Sequence, residues 1–431
     1  MGLHQRFQLR PHRLTLQAGA DQVEKMTSLD GRLGIELFQD RFVQDPYPLY
    51  ARMLAEGPVH QIGDSSFYAV CSWDAINDAI ARPEDFSSNL TATMIYQPDG
   101  TVAAFPVGEL GGPTQALATA DDPAHAVHRK LLTPQLAAKR IRTVEPFIVA
   151  TADQLWNANR RDGSIEWMSA VANRLPMMIV GRIIGVPDED VDRLVRWGYA
   201  ATQVVEGLVN SEQLTAAGIA VVELGGYITE QFRQAAADPR DNLLGELATA
   251  CGSGELAEMT ALAMMITLFS AGGESTASLI GSAAWILATR ADIQQQLRDQ
   301  PDLLGVFLEE VLRYEPPFRG HYRHVVRDTT LCGVDLPAGS RLILLWGAAN
   351  RDPSHFDNPN EFRLDRPGGK GHITFGKGAH FCVGAALARL EARIVLRQLL
   401  DHTSKIEAAE TGRWLPSLLV RRLERLQLAY Q

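Results

Sequence analysis

The sequence predicts a mainly α-helical protein that also contains small β-sheets. Between about Asp45 and Arg290, Ala, Leu and Met recur at steps of three and four residues, which is the spacing of one helix face. Short runs of strand-forming residues occur towards the two ends of the chain, at 67–71 and 330–345. No period of about 20 to 50 residues repeats, which excludes solenoids and propellers.

The composition and charge balance are those of an ordinary globular protein that does not bind nucleic acid. The 431 residues are 46% hydrophobic and 21% charged, and the formal net charge is −10. Binding to a phosphate backbone requires an excess of Lys and Arg, which this chain lacks. We therefore expect no nucleic-acid partner.

The cysteines and the N-terminus indicate a cytoplasmic protein. The four cysteines are widely separated and show no paired spacing, which fits a reducing compartment better than a disulfide framework. They are Cys71, Cys251, Cys332 and Cys382. Charges are scattered through the first residues, so these do not form a secretory signal. We expect residues 1–27 to be a poorly ordered leader and residues 28–431 to be a single domain.

The stretch from Met259 to Thr289 is nearly uncharged and long enough to cross a membrane. Glu274 lies at its midpoint, and a carboxylate is costly in the middle of a bilayer. A long helix buried in a large core is therefore the better prediction.

Several segments outside the helices have recognisable patterns. Residues 67–71 predict a strand, and residues 330–345 predict a hairpin followed by a buried strand. Residues 91–118 are rich in Gly, Pro and Thr and predict a long loop, of a length that is often used for binding. Residues 350–370 are crowded with Pro, Asp and Asn and predict an irregular coil.

A glycine-rich loop delivers one cysteine to the start of a helix. Residues 375–384 read Phe-Gly-Lys-Gly-Ala-His-Phe-Cys-Val-Gly, and an amphipathic run follows. Backbone N–H groups and the positive end of the helix would stabilise a thiolate on Cys382. The residues alone leave two alternatives open: a buried structural cysteine, or a zinc site, for which His380 and Cys382 lack two further ligands at suitable spacing.

This loop resembles the haem-binding signature of the cytochrome P-450 superfamily, Phe-x-x-Gly-x-His-x-Cys-x-Gly. The resemblance implies that Cys382 is the axial thiolate ligand of a haem b iron, and that Phe375, Gly376 and Gly384 contact the haem. A thiolate ligand favours O–O cleavage and marks oxygenases rather than oxygen carriers. The implied fold is a triangular prism, with the haem between the long central helix and the helix after the cysteine loop.

Glu310 and Arg313 are three residues apart, on one face of a helix whose neighbouring residues are apolar. A surface ion pair is the ordinary alternative. The pair resembles the Glu-x-x-Arg of the superfamily, which joins an arginine in the coil before the cysteine loop. Arg366 is the matching arginine here. This triad is expected to be structural and not catalytic.

Residues 271–276 read Ala-Gly-Gly-Glu-Ser-Thr, midway along the long apolar helix. Glycine destabilises a helix interior by about 1 kcal/mol relative to Ala, so the pair needs a reason, such as a local widening that admits a small ligand. The stretch resembles the oxygen-activation motif of the superfamily. The resemblance implies an oxygen pocket lined by Ala271 and Gly272, and a proton relay through Glu274 and Ser275. Ser275 occupies the position where threonine is usual, and Thr276 follows it. The alternative is a helix kink with a capped hydroxyl.

Haem carries two propionates, so cations are expected around it. His125 and Arg129 are four residues apart and resemble the superfamily's His-x-x-x-Arg clamp. Arg323 matches a third propionate contact and His380 a fourth. Taken singly, each of these residues would more often be a solvated surface residue.

The resemblance extends from about residue 42 onward and is close to mycobacterial members of the 144 family. It implies a haem-thiolate monooxygenase that uses O₂, with electrons from a ferredoxin and its NAD(P)H-dependent reductase, because no flavin, nucleotide or iron–sulfur motif occurs in this chain. A haem-thiolate peroxygenase and a non-catalytic haem sensor are the alternatives.

The substrate is not specified by the sequence. Residues 91–118 and 196–228 are expected to cover the pocket. Their apolar and aromatic side chains suggest an apolar or aromatic substrate; these are Met94, Tyr96, Phe105, Val204 and Leu208.

A basic surface is expected on the side of the haem where ferredoxins bind. Positive charge is concentrated after the proposed propionate clamp, and one more charge lies in the cysteine loop. The residues are Lys130, Lys139, Arg140, Arg142 and Lys377. Solvated helix-face charges are the ordinary alternative.

Overall fold

A long central helix organises the structure, a computed structural model that describes residues 33–110, 115–203, 208, 211–366 and 371–431. This helix, α11 (Glu258–Thr289), has 32 residues and is buried along most of its length. It confirms the helix predicted from Met259 to Thr289. No helix among the described residues is long and apolar enough to cross a membrane.

Helices surround α11 on several sides. Those before it are α1 (Leu33–Glu36), α2 (Asp40–Gln44), α3 (Tyr47–Glu56), α4 (Trp73–Ala81), α5 (Ala124–Leu132), α6 (Ala138–Asn159), α7 (Leu175–Ile184), α8 (Val191–Gln203), α9 (Ser211–Ala237) and α10 (Leu243–Gly252). Those after it are α12 (Ala291–Asp299), α13 (Leu304–Tyr314), α14 (Trp346–Ala349) and α15 (Ala385–Asp401). Helices α7, α8 and α15 pack directly on α11.

The strands form small sheets, as predicted. They are β1 (Val59–Gln61), β2 (Phe67–Val70), β3 (Phe86–Ser87), β4 (Ala92–Tyr96), β5 (Val102–Pro106), β6 (Ser164–Glu166), β7 (His321–Val325), β8 (Thr329–Leu331), β9 (Val334–Leu336), β10 (Arg341–Leu344), β11 (Ile406–Thr411) and β12 (Leu426–Tyr430). The largest sheet has the order β1-β2-β10-β7-β3, and β11-β12-β6 form a second sheet. Strand β2 confirms the prediction at 67–71, and β8, β9 and β10 confirm the hairpin and buried strand at 330–345.

The segment predicted as one long loop at 91–118 is partly a hairpin. Strands β4 and β5 pair antiparallel, with Ala92 opposite Pro106 and Tyr96 opposite Val102. Gly100 has a φ of 83°, which closes the turn between them. The prediction was wrong here because the hairpin packs with the N-terminal helices, a contact that the local pattern of 91–118 does not show. Residues 111–114 lie outside the described part of the chain.

The glycine pair in α11 serves helix packing. A Cβ atom on Gly273 would lie 2.5 Å from Met177 Cε, and one on Gly272 would lie 3.0 Å from Val180 Cγ2, both on α7. Helix α11 is continuous across this point. Close contact with α7 is therefore one reason for the glycines, and the predicted widening that admits a small ligand stays a prediction.

A buried ion-pair network fixes the coil after α14. Arg313 donates to Glu310 through Nε at 2.8 Å and NH2 at 2.7 Å, and Arg366 Nε lies 3.4 Å from Glu310 Oε1. The structure thus brings the three predicted residues together. The coil is irregular across 350–366, as predicted, and residues 367–370 lie outside the description.

Residues Leu33–Gln431 form one compact unit. The predicted leader, residues 1–27, and the predicted domain start at residue 28 lie outside the described residues. All four cysteines are free, which agrees with the absence of paired spacing in the sequence.

Candidate functional site

A large cavity lies between α11 and the cysteine loop, residues 375–384. Its empty volume is about 1650 Å³. All ten residues that the sequence analysis assigned to cofactor binding line it. They are His125, Arg129, Ala271, Gly272, Arg323, Phe375, Gly376, His380, Cys382 and Gly384. The structure therefore brings together residues from four separate parts of the chain.

Cys382 lies at the cavity wall, just before α15. Its backbone N–H donates to the carbonyl of Phe375 at 2.8 Å, which closes the loop. Burial raises the pKa of the Cys382 thiol, while the N–H groups of Gly384 and Ala385 and the charges of Arg129 and Arg389 act to lower it. The donors expected at the start of the helix are thus present, but burial has the larger effect on this pKa.

Cationic and imidazole groups gather on one side of the cavity. The rings of His125 and His380 stack at 3.9 Å, and Nδ1 of His380 has no hydrogen-bond partner among the described residues. Burial, with the charges of His125 and Arg323, lowers the pKa of His380 to about 4. Burial lowers the pKa of Arg323 to about 10. Such a group of donors suits a ligand that carries carboxylates.

His321 also lines the cavity and was missed by the sequence analysis. Its Nδ1 accepts a hydrogen bond from Trp346 Nε1 at 2.5 Å, so the ring hydrogen lies on Nε2. Burial, with the charges of Arg323 and His380, lowers the pKa of His321 to about 3. Its position two residues before Arg323 on β7 is the signal that could have identified it, because alternate strand residues share a face.

The two faces of α11 separate the predicted proton-relay residues. Ser275 and Thr276 line the cavity, whereas Glu274 does not. Ser275 Oγ donates to the carbonyl of Ala271 at 2.6 Å, one helical turn earlier. The predicted acid and the predicted alcohol therefore lie on different sides of the helix.

Glu274 is held in a buried polar cluster. Thr202 Oγ1 donates to Glu274 Oε2 at 2.5 Å, and Arg422 Nε donates to Oε1 at 3.1 Å. Arg422 also donates to Asn173 Oδ1 at 3.1 Å and lies over the ring of Tyr199. Burial raises the pKa of Glu274, and the Arg422 charge and the Thr202 hydrogen bond oppose that rise.

The residues expected to cover the pocket do not line it. Met94 and Tyr96 pack instead with the N-terminal helices, where Tyr96 stacks on Phe38 at 4.8 Å. Phe105 and Leu208 are also absent from the lining, and Val204 lies outside the described residues. For Met94 and Tyr96 the reason is that the β4–β5 hairpin joins a separate apolar cluster. Among the described residues of 91–118, Leu117 and Ala118 are the two that line the cavity.

Much of the remaining lining is apolar. Helices α7, α10 and α11 contribute aliphatic side chains; these are Val180, Ile183, Ile184, Leu243 and Leu268. No group of three or more His, Cys, Asp or Glu side chains in the described residues could hold a metal ion, so the zinc alternative lacks its ligands.

Comparison with known proteins identifies the family. The cytochrome P450 family model matches residues 227–411. Cytochrome P450 144 of Mycobacterium tuberculosis (strain ATCC 25618 / H37Rv) is 68% identical over 419 residues, which cover 97% of this chain and 96% of that protein. The chain belongs to the cytochrome P450 family. It is a haem-iron monooxygenase, as the members of this family are.

Solved cytochrome P450 structures share the fold. Ligand-free CYP164A2 of Mycobacterium smegmatis is 27% identical, with a TM-score of 0.82, over 92% of this chain and 99% of that chain. CYP109E1 of Bacillus megaterium, in complex with testosterone, is 28% identical, with a TM-score of 0.79, over 91% of this chain and 99% of that chain. The fold implied by the cysteine loop is therefore confirmed.

A buried carboxyl of this cytochrome P450 was not anticipated. Glu391 lies on α15, lines the cavity and is 2% exposed. Its Oε2 has no hydrogen-bond partner among the described residues, and burial raises its pKa well above the ordinary value of 4.5. An acid on an otherwise apolar helix face was the signal in the sequence. The raised pKa favours the protonated form of this carboxyl in the folded chain.

This protonation makes stability depend on pH. Above about pH 4.5 the unfolded chain loses the Glu391 proton while the folded chain keeps it, so the free energy of unfolding falls as pH rises. We expect Glu391→Gln to be more stable than the wild type at pH 7. Its advantage should grow by up to about 1.4 kcal/mol per pH unit until the folded pKa is reached. Denaturant midpoints at pH 5, 6, 7 and 8 measure this, with exposed Glu212→Gln as the control; parallel curves for Glu391→Gln and wild type would contradict it.

Proposed function

We propose that this cytochrome P450 binds haem b through a Cys382 thiolate and inserts one oxygen atom from O₂ into an apolar organic substrate. The overall reaction converts substrate R–H, O₂, two electrons and two protons into R–OH and water. The observation that carries the proposal is the position of Cys382 on the cavity wall, with Ala271, Ser275 and Thr276 of α11 lining the same cavity. A bound haem iron would supply the oxygen chemistry.

The residues present fit the propionates of haem b. His125, Arg129, Arg323 and His380 line the cavity, and the unpaired Nδ1 of His380 is free to donate to a carboxylate. Gly376 and Gly378, each with φ of 68°, turn the loop beneath the cavity. We assign the four side chains to the propionates and the loop to the face that carries the thiolate.

Proton delivery is assigned to Glu274 and Ser275, with Thr276 beside them. Glu274 lies on this part of α11, next to the lining residue Ser275, and burial raises its pKa, which favours the protonated form of an acid. Ser275 presents its hydroxyl to the cavity. Because the carboxyl lies on the other side of the helix, the proton reaches Ser275 by rotation of the Glu274 side chain or through water.

The substrate is assigned to the apolar class. Aliphatic side chains dominate the lining on α7, α10 and α11, and burial of apolar surface would supply the binding energy at about 25 cal/mol per Å². The polar lining groups gather on the haem side. A spectral binding screen of steroids, fatty acids, azoles and aromatic compounds would identify the ligand.

The first test concerns the ligand of the iron. We expect the reduced wild-type protein with CO to show the red-shifted Soret band of thiolate ligation, and Cys382→Ser to lose that band. Cys332→Ser, at an exposed cysteine, is the matched control and should keep it. Loss of the band in Cys332→Ser but not in Cys382→Ser would refute the assignment. Turnover with an electron-transfer partner then separates a monooxygenase from a sensor.

The second test concerns proton delivery. We expect Glu274→Gln and Ser275→Ala to bind substrate normally but to form less product per electron consumed and to release more peroxide. Acid–base assistance is typically worth about 10²–10⁴ in rate. Thr267→Val is the control, since Thr267 lines the same cavity and also donates to a carbonyl one turn earlier, that of Ala263. Unchanged coupling in both variants would assign delivery to Thr276 or a water chain.

A ferredoxin and its NAD(P)H-dependent reductase are the proposed electron source. Two of the five predicted basic residues are locally neutralised: Lys130 pairs with Glu255 at 3.1 Å, and Arg140 with Asp241 at 3.0 Å. Lys377 donates to Asn77. The remaining two, Lys139 and Arg142, are exposed on α6 and have no ion-pair partner among the described residues. Helix α6 packs on α15, which begins at the cysteine loop.

The third test concerns this basic surface. We expect Lys139→Glu combined with Arg142→Glu to slow reduction by an acidic ferredoxin and to weaken its salt dependence, because steering is screened over about 8 Å at 0.15 M salt. Arg160→Glu with Arg196→Glu makes the same charge change elsewhere and should reduce at the wild-type rate. Stopped-flow measurement at two salt concentrations gives the reduction rates of both double variants. Wild-type rates for Lys139→Glu with Arg142→Glu would exclude this surface as the ferredoxin-binding site.

A further inference from the structure

A charged cluster lies directly behind the cysteine loop. Glu309 on α13 receives two hydrogen bonds from Arg389 on α15, from Nε at 2.6 Å and from NH2 at 2.9 Å. His372, in the coil before the loop, places Nε2 3.2 Å from Glu309 Oε2. Three separate segments thus meet at one carboxylate. The adjacent Glu310 belongs to the triad with Arg313 and Arg366, so the two consecutive glutamates belong to two different clusters.

The hydrogen bonds fix the charges of this cluster. The backbone N–H of Thr374 donates to His372 Nδ1 at 3.3 Å, so the ring hydrogen lies on Nε2 and is donated to Glu309. Burial acts to raise the pKa of Glu309, but the hydrogen bonds from Arg389 and His372 prevail and lower it to about 2. The lowered pKa keeps Glu309 a carboxylate, which accepts hydrogen bonds from both Arg389 and His372.

The positive end of the cluster faces the cysteine loop. The guanidinium carbon of Arg389 lies 4.4 Å from the centre of the Phe375 ring. Phe375 lines the cavity, and its carbonyl accepts the Cys382 N–H at 2.8 Å. The cation is thus the member of the pair that lies against the loop, and the anion lies behind it.

We propose that Arg389 and Glu309 are positioning residues that set the reduction potential of the thiolate-bound haem, with opposite signs. The inference rests on the proposed haem ligation by Cys382. Reduction of the iron adds one negative charge at the site. A cation behind Phe375 stabilises the reduced form and raises the potential, and an anion paired with that cation offsets part of this effect.

A purely structural cluster would behave differently. If Arg389 and Glu309 only held the loop in place, removal of either one would disturb the same contacts. The two variants would then change the potential in the same direction or convert the thiolate-type CO spectrum to another form. Opposite shifts with an intact CO spectrum distinguish charge from structure.

The experiment is a spectroelectrochemical titration of the substrate-free haem protein. We expect Arg389→Gln to shift the midpoint to more negative values and Glu309→Gln to shift it to more positive values. The double variant should lie between the two single variants. Arg389→Lys keeps the charge but loses the two-point hydrogen bonding, and should lie closer to wild type than Arg389→Gln does.

The outcomes separate this inference from the proposed function. A wild-type protein without a thiolate-type CO band would refute the haem ligation itself. A normal wild-type band with single variants that shift together, or that leave the midpoint unchanged, would overturn the role of the cluster alone. If Arg389→Gln does not fold, Glu309→Gln decides the sign: a positive shift supports the inference, and a negative shift or none overturns it.

Discussion

The Arg313 guanidinium holds the coil that leads to the cysteine loop. It is 1% exposed, pairs with Glu310 and donates to the backbone carbonyls of Asn350, Pro359 and Glu361. Burial of such a charge is costly, and its hydrogen bonds to a carboxylate and three carbonyls offset the cost. Removal of one partner of such a pair typically costs about 3–5 kcal/mol, because the other charge stays buried. The position of Cys382 opposite α11 depends on this network, since α13 packs on both α11 and α15.

The cavity gathers positive groups in a protein whose net charge is −10. Burial lowers the pKa of both Arg323 and His380, and the charge of Arg323 lowers the pKa of His380 further. Burying Arg323 and His380 close together lowers the free energy of unfolding. Binding of a ligand that carries carboxylates would offset part of that loss. The stability of this cytochrome P450 is therefore expected to be coupled to its cofactor by mass action.

The sequence predicted the features that depend on local pattern or on a specific motif. The apolar run of α11, the cysteine loop and the cation positions are local, and each was found where it was expected. The β4–β5 hairpin was missed because its stability comes from packing with the N-terminal helices, as the contact of Tyr96 with Phe38 shows. The need for a glycine at position 273 was likewise not local, because the side chain that comes close to it, Met177, is on another helix.

Pairing between residues that are far apart in the sequence was the other feature that could not be predicted. Glu309 was adjacent to a recognised motif, but its partners Arg389 and His372 are separated from it by 80 and 63 positions. An ion pair at that separation has no periodic signature, unlike one spaced three or four residues along a helix. Motif spacing thus identified Glu310 and missed Glu309 one residue away.

The environment of Glu274 shows how the fold controls its acid. Its partners come from α8, through Thr202, and from the C-terminal segment, through Arg422. Neither contact can form until segments 72 and 148 positions away have packed onto α11. The Glu274 carboxyl is thereby held on the opposite side of α11, although the next residue, Ser275, lines the cavity. Any proton that it gives to Ser275 must first leave this cluster, so the strength of the Thr202 and Arg422 hydrogen bonds sets how readily the acid is released.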